Sequence, residues 1–146
     1  MAKGFQLFRD ALSQLAGQYL EERMFIGFVE DSLLERLTNN KFTGRNTAHP
    51  VFVLKYKGES SVACPCTSKP KTNMSHIPKG VALTNAEPPV SMIKATYILH
   101  IFPFVMPRSG IDYNEFWSYI NIRGIVPEDA IVGKEWKSWR SIYYKH

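Results

Sequence analysis

The chain of 146 residues is 45% hydrophobic and carries 18 basic against 13 acidic side chains, a formal net charge of +5. This length and apolar content predict one compact domain with an ordinary core, without room for a second domain of full size. No apolar run approaches the roughly 18 to 20 residues of a membrane span, and the N-terminus lacks the apolar block of a signal peptide. We therefore expect a cytoplasmic protein with no membrane partner.

The excess positive charge is concentrated in one part of the chain. Residues 55–80 contain five lysines and only one acidic residue, Glu59, whereas charges are nearly balanced on either side. Such a segment favours an anionic partner such as an RNA backbone. The alternative is a solvated, lysine-rich loop that serves solubility.

The N-terminal part predicts a helix, a strand and a loop in that order. Apolar residues recur at three- and four-residue steps through residues 1–23, which is typical of an amphipathic helix. MFIGFVE, residues 24–30, predicts a short strand, and DSLLERLTNN a helical turn or two. The polar run TNNKFTGRNTA predicts a mobile loop.

Two runs of β-branched and aromatic residues predict a β-hairpin. VFVLKYK and SSVACPC are separated only by Gly-Glu. In a tight antiparallel hairpin, the entry of the first strand and the exit of the second lie at the same end. The register therefore predicts that His49 and Thr67 are close neighbours.

The rest of the chain completes an α+β pattern. SMIKATYILHIFPFVMP, interrupted by two prolines, predicts one or two strands, with His100 as a hydrogen-bonded core histidine. Asp112 is placed to cap a helix that ends at Gly124, and Pro127 to begin another. We predict a single domain over residues 1–146: an N-terminal helix in 1–23, a strongly bent antiparallel β core in 24–110 and one or two helices in 111–146.

The two cysteines do not suggest a metal site or a disulfide. Cys64 and Cys66 lie two residues apart on a predicted strand, so both side chains point to one face and an unstrained disulfide is hard to close. Structural zinc sites need four ligands, commonly in paired clusters, and the four histidines are scattered. We interpret both cysteines as small, reduced, buried strand residues and expect no metal or other cofactor.

The segment HPVFVLKYKGESSVACPCTSKPKTNMSHIPKG resembles the MazF/PemK-like toxin superfamily, including its ToxN-like branch. Members carry a basic residue, a proline and a hydrophobic strand, then a hairpin whose second strand ends in Pro-x-Thr followed by Ser or Thr. The resemblance covers about residues 49 to 105. It implies a small SH3-like barrel that cuts RNA without a metal, a protein or RNA antitoxin as partner, and a homodimer.

The resemblance also implies roles for individual residues. Pro50 matches the proline of the family and Thr67 its active-site threonine, while Ser68 and Lys69 resemble the ToxN-like variant of the motif. His49 departs from the pattern, because many members have arginine before the proline. Histidine stabilises phosphate charge only when protonated, so position 49 has either lost that role or taken up acid/base chemistry.

The expected reaction is attack of the RNA 2′-hydroxyl on the adjacent phosphate, which needs a base, donors to the phosphorane and an acid. We assign His49 to acid/base chemistry, Thr67 to hydrogen bonding of the phosphate and Lys69 to charge stabilisation. RNA or phosphate binding is assigned to Ser68, Lys71, Lys55 and His76. Ordinary structural roles stay open for several of them: a surface or cap histidine at 49, a strand-end turn at 67 and an exposed loop histidine at 76.

Two functions follow from these residues. The leading interpretation is a metal-independent endoribonuclease toxin that cleaves single-stranded RNA to a 2′,3′-cyclic phosphate and is held inactive by an antitoxin. The alternative is a non-catalytic SH3-like module that binds nucleic acid or protein.

The C-terminal aromatics, interleaved with basic residues, fit a docked amphipathic helix better than an RNA clamp.

Overall fold

The computed structural model describes residues 20–45, 47–57, 60–86, 88–107, 109–119 and 121–138, with the backbone alone at 55–57, 60 and 119. Residues 1–19, where most of the N-terminal helix is predicted, lie outside this part of the chain. So do three members of the C-terminal aromatic cluster, Trp139, Tyr143 and Tyr144. The side chain of Lys55, assigned above to phosphate binding, also lies outside the described part.

The described residues form an α+β domain in which strands predominate. The helices are α1 (Asp31–Leu37) and α2 (Gly110–Tyr119), with a 3₁₀ turn at Glu128–Ala130. The strands, in chain order, are β1 (Met24–Glu30), β2 (Ala48–Lys57), β3 (Ser60–Thr67), β4 (His76–Ile77), β5 (Ala82–Leu83), β6 (Val90–Ser91), β7 (Thr96–Ile98), β8 (Phe104–Val105) and β9 (Ile122–Ile125).

Within the described residues, seven strands make one strongly curled antiparallel sheet that forms half a barrel. Its order is β4-β7-β3-β2-β1-β9, and β8 pairs with the other part of β3; β5 and β6 form a separate two-stranded ribbon. The predicted hairpin is confirmed, because β2 and β3 pair antiparallel from Val51 opposite Pro65 to Lys57 opposite Ser60. The hairpin lies at the centre of the sheet.

Both faces of this hairpin are buried, which explains its unbroken apolar sequence. Val51, Val53 and Ala63 pack into one core cluster, together with side chains of α1 and α2. Phe52 and Cys64 point into a second cluster on the opposite face. A strand covered on both sides does not alternate between apolar and polar residues.

The cysteines have the structural role predicted for them. Cys64 and Cys66 are free, fully buried thiols of the second cluster. Burial raises the pKa of both thiols, and the neighbouring Cys66 raises that of Cys64 further. Both are therefore protonated at neutral pH.

The C-terminal part contains a strand where a helix end was predicted. Helix α2 ends at Tyr119, and Gly124 lies in β9, opposite Phe25 of β1. A Cβ on Gly124 would fall 2.8 Å from both the Leu83 Cβ and the Thr84 carbonyl oxygen, and its φ of +146° also disfavours other residues. The glycine therefore serves the close packing of β9 against the β5–β6 ribbon rather than a helix end.

Pro127 precedes the short 3₁₀ turn rather than the start of a helix, and helical backbone begins instead at Trp136, where the chain returns to the core. The indole is 1% exposed and meets Phe52 edge-on, with ring centroids 5.6 Å apart. The C-terminal aromatic residues were predicted to dock against the core, and Trp136, the first of them, does so. No helix in the described part is long and apolar enough to span a membrane.

His100 lies nearer the surface than the core histidine predicted from its apolar surroundings. It is half-buried, and its buried Nδ1 has no hydrogen-bond partner among the described residues. Desolvation lowers the pKa of His100 and outweighs the opposing effects of the Ile98 backbone and the Glu135 carboxylate. The folded protein therefore binds a proton at His100 less readily than the unfolded chain does.

This pKa predicts a loss of stability on acidification. As the pH falls through about 6.5, the unfolded state takes up a proton at this histidine before the folded state does, so the free energy of unfolding decreases. We expect His100→Gln, which cannot titrate, to lose less stability than the wild type between pH 7.5 and 5.5. Urea unfolding at the two pH values measures this; equal losses in the two proteins would contradict it.

Candidate active site

His49 and Thr67 come together at the open end of the hairpin. His49 is the second residue of β2 and pairs with Val29 of β1, while Thr67 is the last residue of β3. Continuing the β2–β3 register beyond the Val51–Pro65 pair brings positions 49 and 67 opposite each other. The two side chains are only 8% and 7% exposed, and both line the same two surface pockets.

A buried carboxylate, Asp31, lies beside His49. Strand β1 ends at Glu30, opposite Ala48, and α1 begins with the next residue. The backbone N–H of Asp31 donates to the Thr47 carbonyl at 3.0 Å, which fixes this turn against the start of β2. The carboxylate then reaches the imidazole of His49, with Oδ1 2.5 Å from Nδ1.

This contact determines which nitrogen of His49 is available for chemistry. An ionised carboxylate only accepts hydrogen bonds, so Nδ1 carries the hydrogen and donates it to Asp31. Nε2 is then the basic nitrogen of the neutral ring. A histidine oriented in this way by a buried acid is suited to proton transfer, because the acid also stabilises the protonated ring.

The loop after α1, where the sequence predicts a mobile segment, packs against the Asp31–His49 pair. Phe42 is buried and meets the His49 ring edge-on, with centroids 5.1 Å apart. Its backbone N–H donates to the Thr38 hydroxyl at 3.1 Å. Gly44 lies against the Asp31 carboxylate so closely that a Cβ there would overlap it.

One of the two pockets, which we call the basic pocket, is lined by His49 and Thr67 together with Lys41, Arg45, Lys69 and Lys71. Its described lining includes no acidic residue. Within the described part of the chain, none of the four cationic side chains forms an ion pair with a carboxylate. The described side chains that line this pocket therefore carry an excess of positive charge, which favours an anionic ligand.

The other pocket, which we call the apolar pocket, adjoins the basic pocket at His49 and Thr67. It has a volume of about 310 Å³, and its apolar side chains come from β1, from the start of β2 and from the segment around Met92. Besides His49 and Thr67, its polar lining consists of Ser68, Ser91, Lys94, Thr96 and Arg123. The histidine and the threonine thus form the wall between a cationic and an apolar cavity.

Thr67 combines the turn role with an available hydroxyl. Its Oγ1 accepts a hydrogen bond from the Lys69 backbone N–H at 3.2 Å, which closes the turn after β3. The hydroxyl hydrogen has no acceptor among the described residues. The threonine can therefore donate to a ligand in either pocket while the turn stays intact.

Five of the seven residues assigned from the sequence meet at this site: His49, Thr67, Ser68, Lys69 and Lys71. The position of its backbone separates Lys55 from this group. It lies six residues further along β2, about 20 Å from His49.

His76 also lies away from the two pockets. It pairs with Tyr97, which itself pairs with Thr67, so two strand spacings, about 10 Å, separate it from the threonine. Its ring stacks on Tyr97 at a centroid distance of 4.9 Å.

Asp31 was missed by the sequence reasoning, as were Lys41, Arg45 and Arg123. An acidic residue directly after a strand is an ordinary helix start, and its burial depends on pairing between segments 18 residues apart. Arg123 was placed in a helix, whereas β9 carries it to the apolar pocket. The basic residues around the glycine in KFTGR were the available signal for Lys41 and Arg45.

Comparison with protein-family models, with curated proteins and with solved structures gave no match. Among the described residues, no group of three or more histidine, cysteine or acidic side chains is arranged to hold a metal ion. The groups at this site that can take part in chemistry are the Asp31–His49 pair, Thr67 and the surrounding cations.

The close approach of Gly44 to Asp31 gives a test of the geometry. We expect Gly44→Ala to push the carboxylate away from His49 and to lower the free energy of unfolding by about 1–3 kcal/mol, the usual cost of overpacking. Thr43→Ala, at the exposed neighbouring position, is the control and should change stability by less than about 0.5 kcal/mol. Denaturant unfolding compares the two, and equal stabilities would refute the packing.

Proposed function

We propose that the protein is a metal-independent endoribonuclease that cleaves single-stranded RNA through a 2′,3′-cyclic phosphate. The observation that carries the proposal is the buried Asp31–His49 pair, whose imidazole and neighbouring Thr67 border a pocket with four cations. A base, a hydroxyl donor and positive charge are the groups that this reaction needs. The curled antiparallel sheet is compatible with the SH3-like barrel that the sequence resemblance implies.

In the proposed reaction, Nε2 of His49 takes the proton of the 2′-hydroxyl as the 2′-oxygen bonds to phosphorus. The bond from phosphorus to the 5′-oxygen breaks, and this oxygen leaves with the proton that the imidazolium returns. Asp31 holds the ring and stabilises its charge during the transfer. Thr67 donates to a non-bridging phosphate oxygen, and Lys69 and Lys71 offset the negative charge that develops there.

In this proposal, position 49 has taken up acid/base chemistry in place of the charge stabilisation that an arginine provides. An arginine would stabilise a phosphate by its charge alone, whereas a histidine with a buried carboxylate partner is equipped to transfer protons. The surrounding lysines and Arg45 supply the charge that an arginine at this position would have contributed. A role as a toxin controlled by an antitoxin, and assembly as a homodimer, belong to the same proposal through the sequence resemblance.

The first test is cleavage of end-labelled single-stranded RNA in excess chelator, with identification of the product ends. We expect cyclic-phosphate ends from the wild type, a loss of about 10²- to 10³-fold in rate for Thr67→Ala, and substantial activity for Thr67→Ser. Asp31→Asn, which favours the wrong tautomer of His49, should lower the rate by up to about 10⁴-fold. RNA that stays intact with folded wild-type protein, over several sequences and with no inhibitor bound, would refute the enzyme and favour the non-catalytic module.

The histidine requires a paired substitution. Removing His49 alone leaves the Asp31 carboxylate buried without its partner, which is strongly destabilising. The double variant Asp31→Asn/His49→Gln removes both charges and retains two side chains that can form a hydrogen bond. It should unfold cooperatively, as the wild type does, and lose about 10²- to 10⁴-fold in cleavage rate.

The basic pocket predicts a measurable salt dependence of RNA binding. Each phosphate contact contributes about 0.7 to the slope of log affinity against log salt for a single strand. Lys69→Ala/Lys71→Ala should therefore reduce the slope by about 1.4, as measured by fluorescence anisotropy from about 50 to 200 mM salt. Lys79→Ala removes an exposed lysine outside both pockets and should leave the slope within about 0.7 of the wild-type value. Equal slopes for the double variant and for Lys79→Ala would exclude the basic pocket as the site of RNA phosphate binding.

A further inference from the structure

The apolar pocket has no role in the phosphate chemistry described above, yet it shares its wall with the reacting groups. Its floor contains the buried Phe25 and Met92, and its rim contains Phe28 and Ile93, which are 64% and 78% exposed. Single exposed apolar side chains are common on protein surfaces. Two of them at the rim of one concave cavity with an apolar floor form a surface suited to a flat, apolar ligand face.

The charges around this pocket select the class of ligand. Arg123 and Lys94 line it, no acidic residue belongs to its described lining, and neither cation has a carboxylate partner within the described residues. Ser68 and Ser91 add hydroxyl groups, which donate and accept hydrogen bonds. An apolar face bounded by hydroxyls and cations complements a nucleobase with its sugar-phosphate.

The contact between the two pockets indicates where such a nucleotide would lie relative to the phosphate. Because His49 and Thr67 line both cavities, a phosphate held at these residues has the basic pocket on one side and the apolar pocket on the other. A pocket of about 310 Å³ lies at the small end of the range of roughly 300–1,000 Å³ for small-molecule sites. One nucleotide of a chain, rather than a longer segment, suits this size.

We propose that the apolar pocket binds one base of single-stranded RNA, next to the phosphate at His49 and Thr67, with the Phe28 ring as its stacking surface. The proposal rests on the proposed function in that it takes RNA as the ligand. It adds a base-binding subsite that contributes affinity independently of the basic pocket. Arg123 and Lys94 then contact the phosphate on the far side of that nucleotide.

The experiment separates base binding from phosphate binding and from cleavage. The probes are a labelled 2′-O-methyl oligonucleotide, which has no free 2′-hydroxyl and cannot be cut, and a chain of the same length that carries no bases. We expect Phe28→Ala to weaken binding of the first probe by about 5- to 100-fold, the usual effect of removing one aromatic stacking partner, and to leave the second unchanged. Lys69→Ala/Lys71→Ala should weaken both.

Two control variants test whether the effect of Phe28→Ala is specific, rather than a result of altered folding or of removing any exposed apolar side chain. Phe28→Tyr retains an aromatic face and should bind like the wild type. Ile101→Ala truncates an apolar side chain that is 53% exposed outside both pockets and should have no effect on either probe. Thermal unfolding of all variants should match the wild type, because the substituted side chains are exposed.

The outcomes distinguish this subsite from the reaction. Equal effects of Phe28→Ala on the two probes would overturn the subsite while leaving cleavage and salt dependence untouched. A dimer that dissociates on Phe28→Ala, with unchanged binding of the base-containing probe, would overturn it in favour of an interface between two copies of the chain. Base-dependent binding in a protein that never cleaves RNA would support the subsite and refute the nuclease, and no binding of either probe would refute both.

Discussion

The site depends on a carboxylate buried against a histidine where β1 turns directly into α1. Burying ionised groups is unfavourable unless each is paired, and even a well-paired buried ion pair stabilises a fold little compared with apolar residues of the same size. Here the carboxylate has one partnered oxygen, while Oδ2 is buried with no hydrogen-bond partner among the described residues. An apolar pair would pack at this position with less desolvation. The arrangement is therefore easier to explain by what it does to the histidine than by its contribution to stability.

The surrounding fold positions this pair from three directions. The β1–β2 register sets the turn, since Glu30 pairs with Ala48 and Asp31 is the next residue. The loop from α1 covers the pair with Phe42 and leaves space for the carboxylate only because position 44 has no Cβ. The hairpin brings Thr67 opposite His49. Both faces of this hairpin are packed, so the positions of its end residues follow from a rigid element rather than from a loop.

The parts of this arrangement that are local in sequence were predictable, and the parts that depend on distant pairing were not. The two apolar runs separated by Gly-Glu predicted the hairpin, and its register placed His49 beside Thr67, followed by Ser68, Lys69 and Lys71. Lys55 was assigned by charge alone, and strand geometry separates it from the others. Asp31 looks like any acidic helix start until β1 and β2 pair. Gly124 resembled a helix end, because nothing in the neighbouring sequence shows that the Leu83 side chain and the Thr84 backbone carbonyl approach that position.

In the proposed reaction, the two pockets explain why His49 and Thr67 lie on the wall that both pockets share. A phosphodiester has one anionic group between two nucleosides, so a site that acts on it needs positive charge at one place and apolar surface immediately beside it. If the lysines surrounded the histidine on all sides, the site would hold a phosphate without regard to its orientation. The cations of the basic pocket on one side and the apolar cavity on the other make the two sides of the imidazole different. In the proposed reaction, this asymmetry would give a bound RNA strand one preferred direction across His49, so that the imidazole would meet the 2′-hydroxyl and the leaving oxygen in a fixed order.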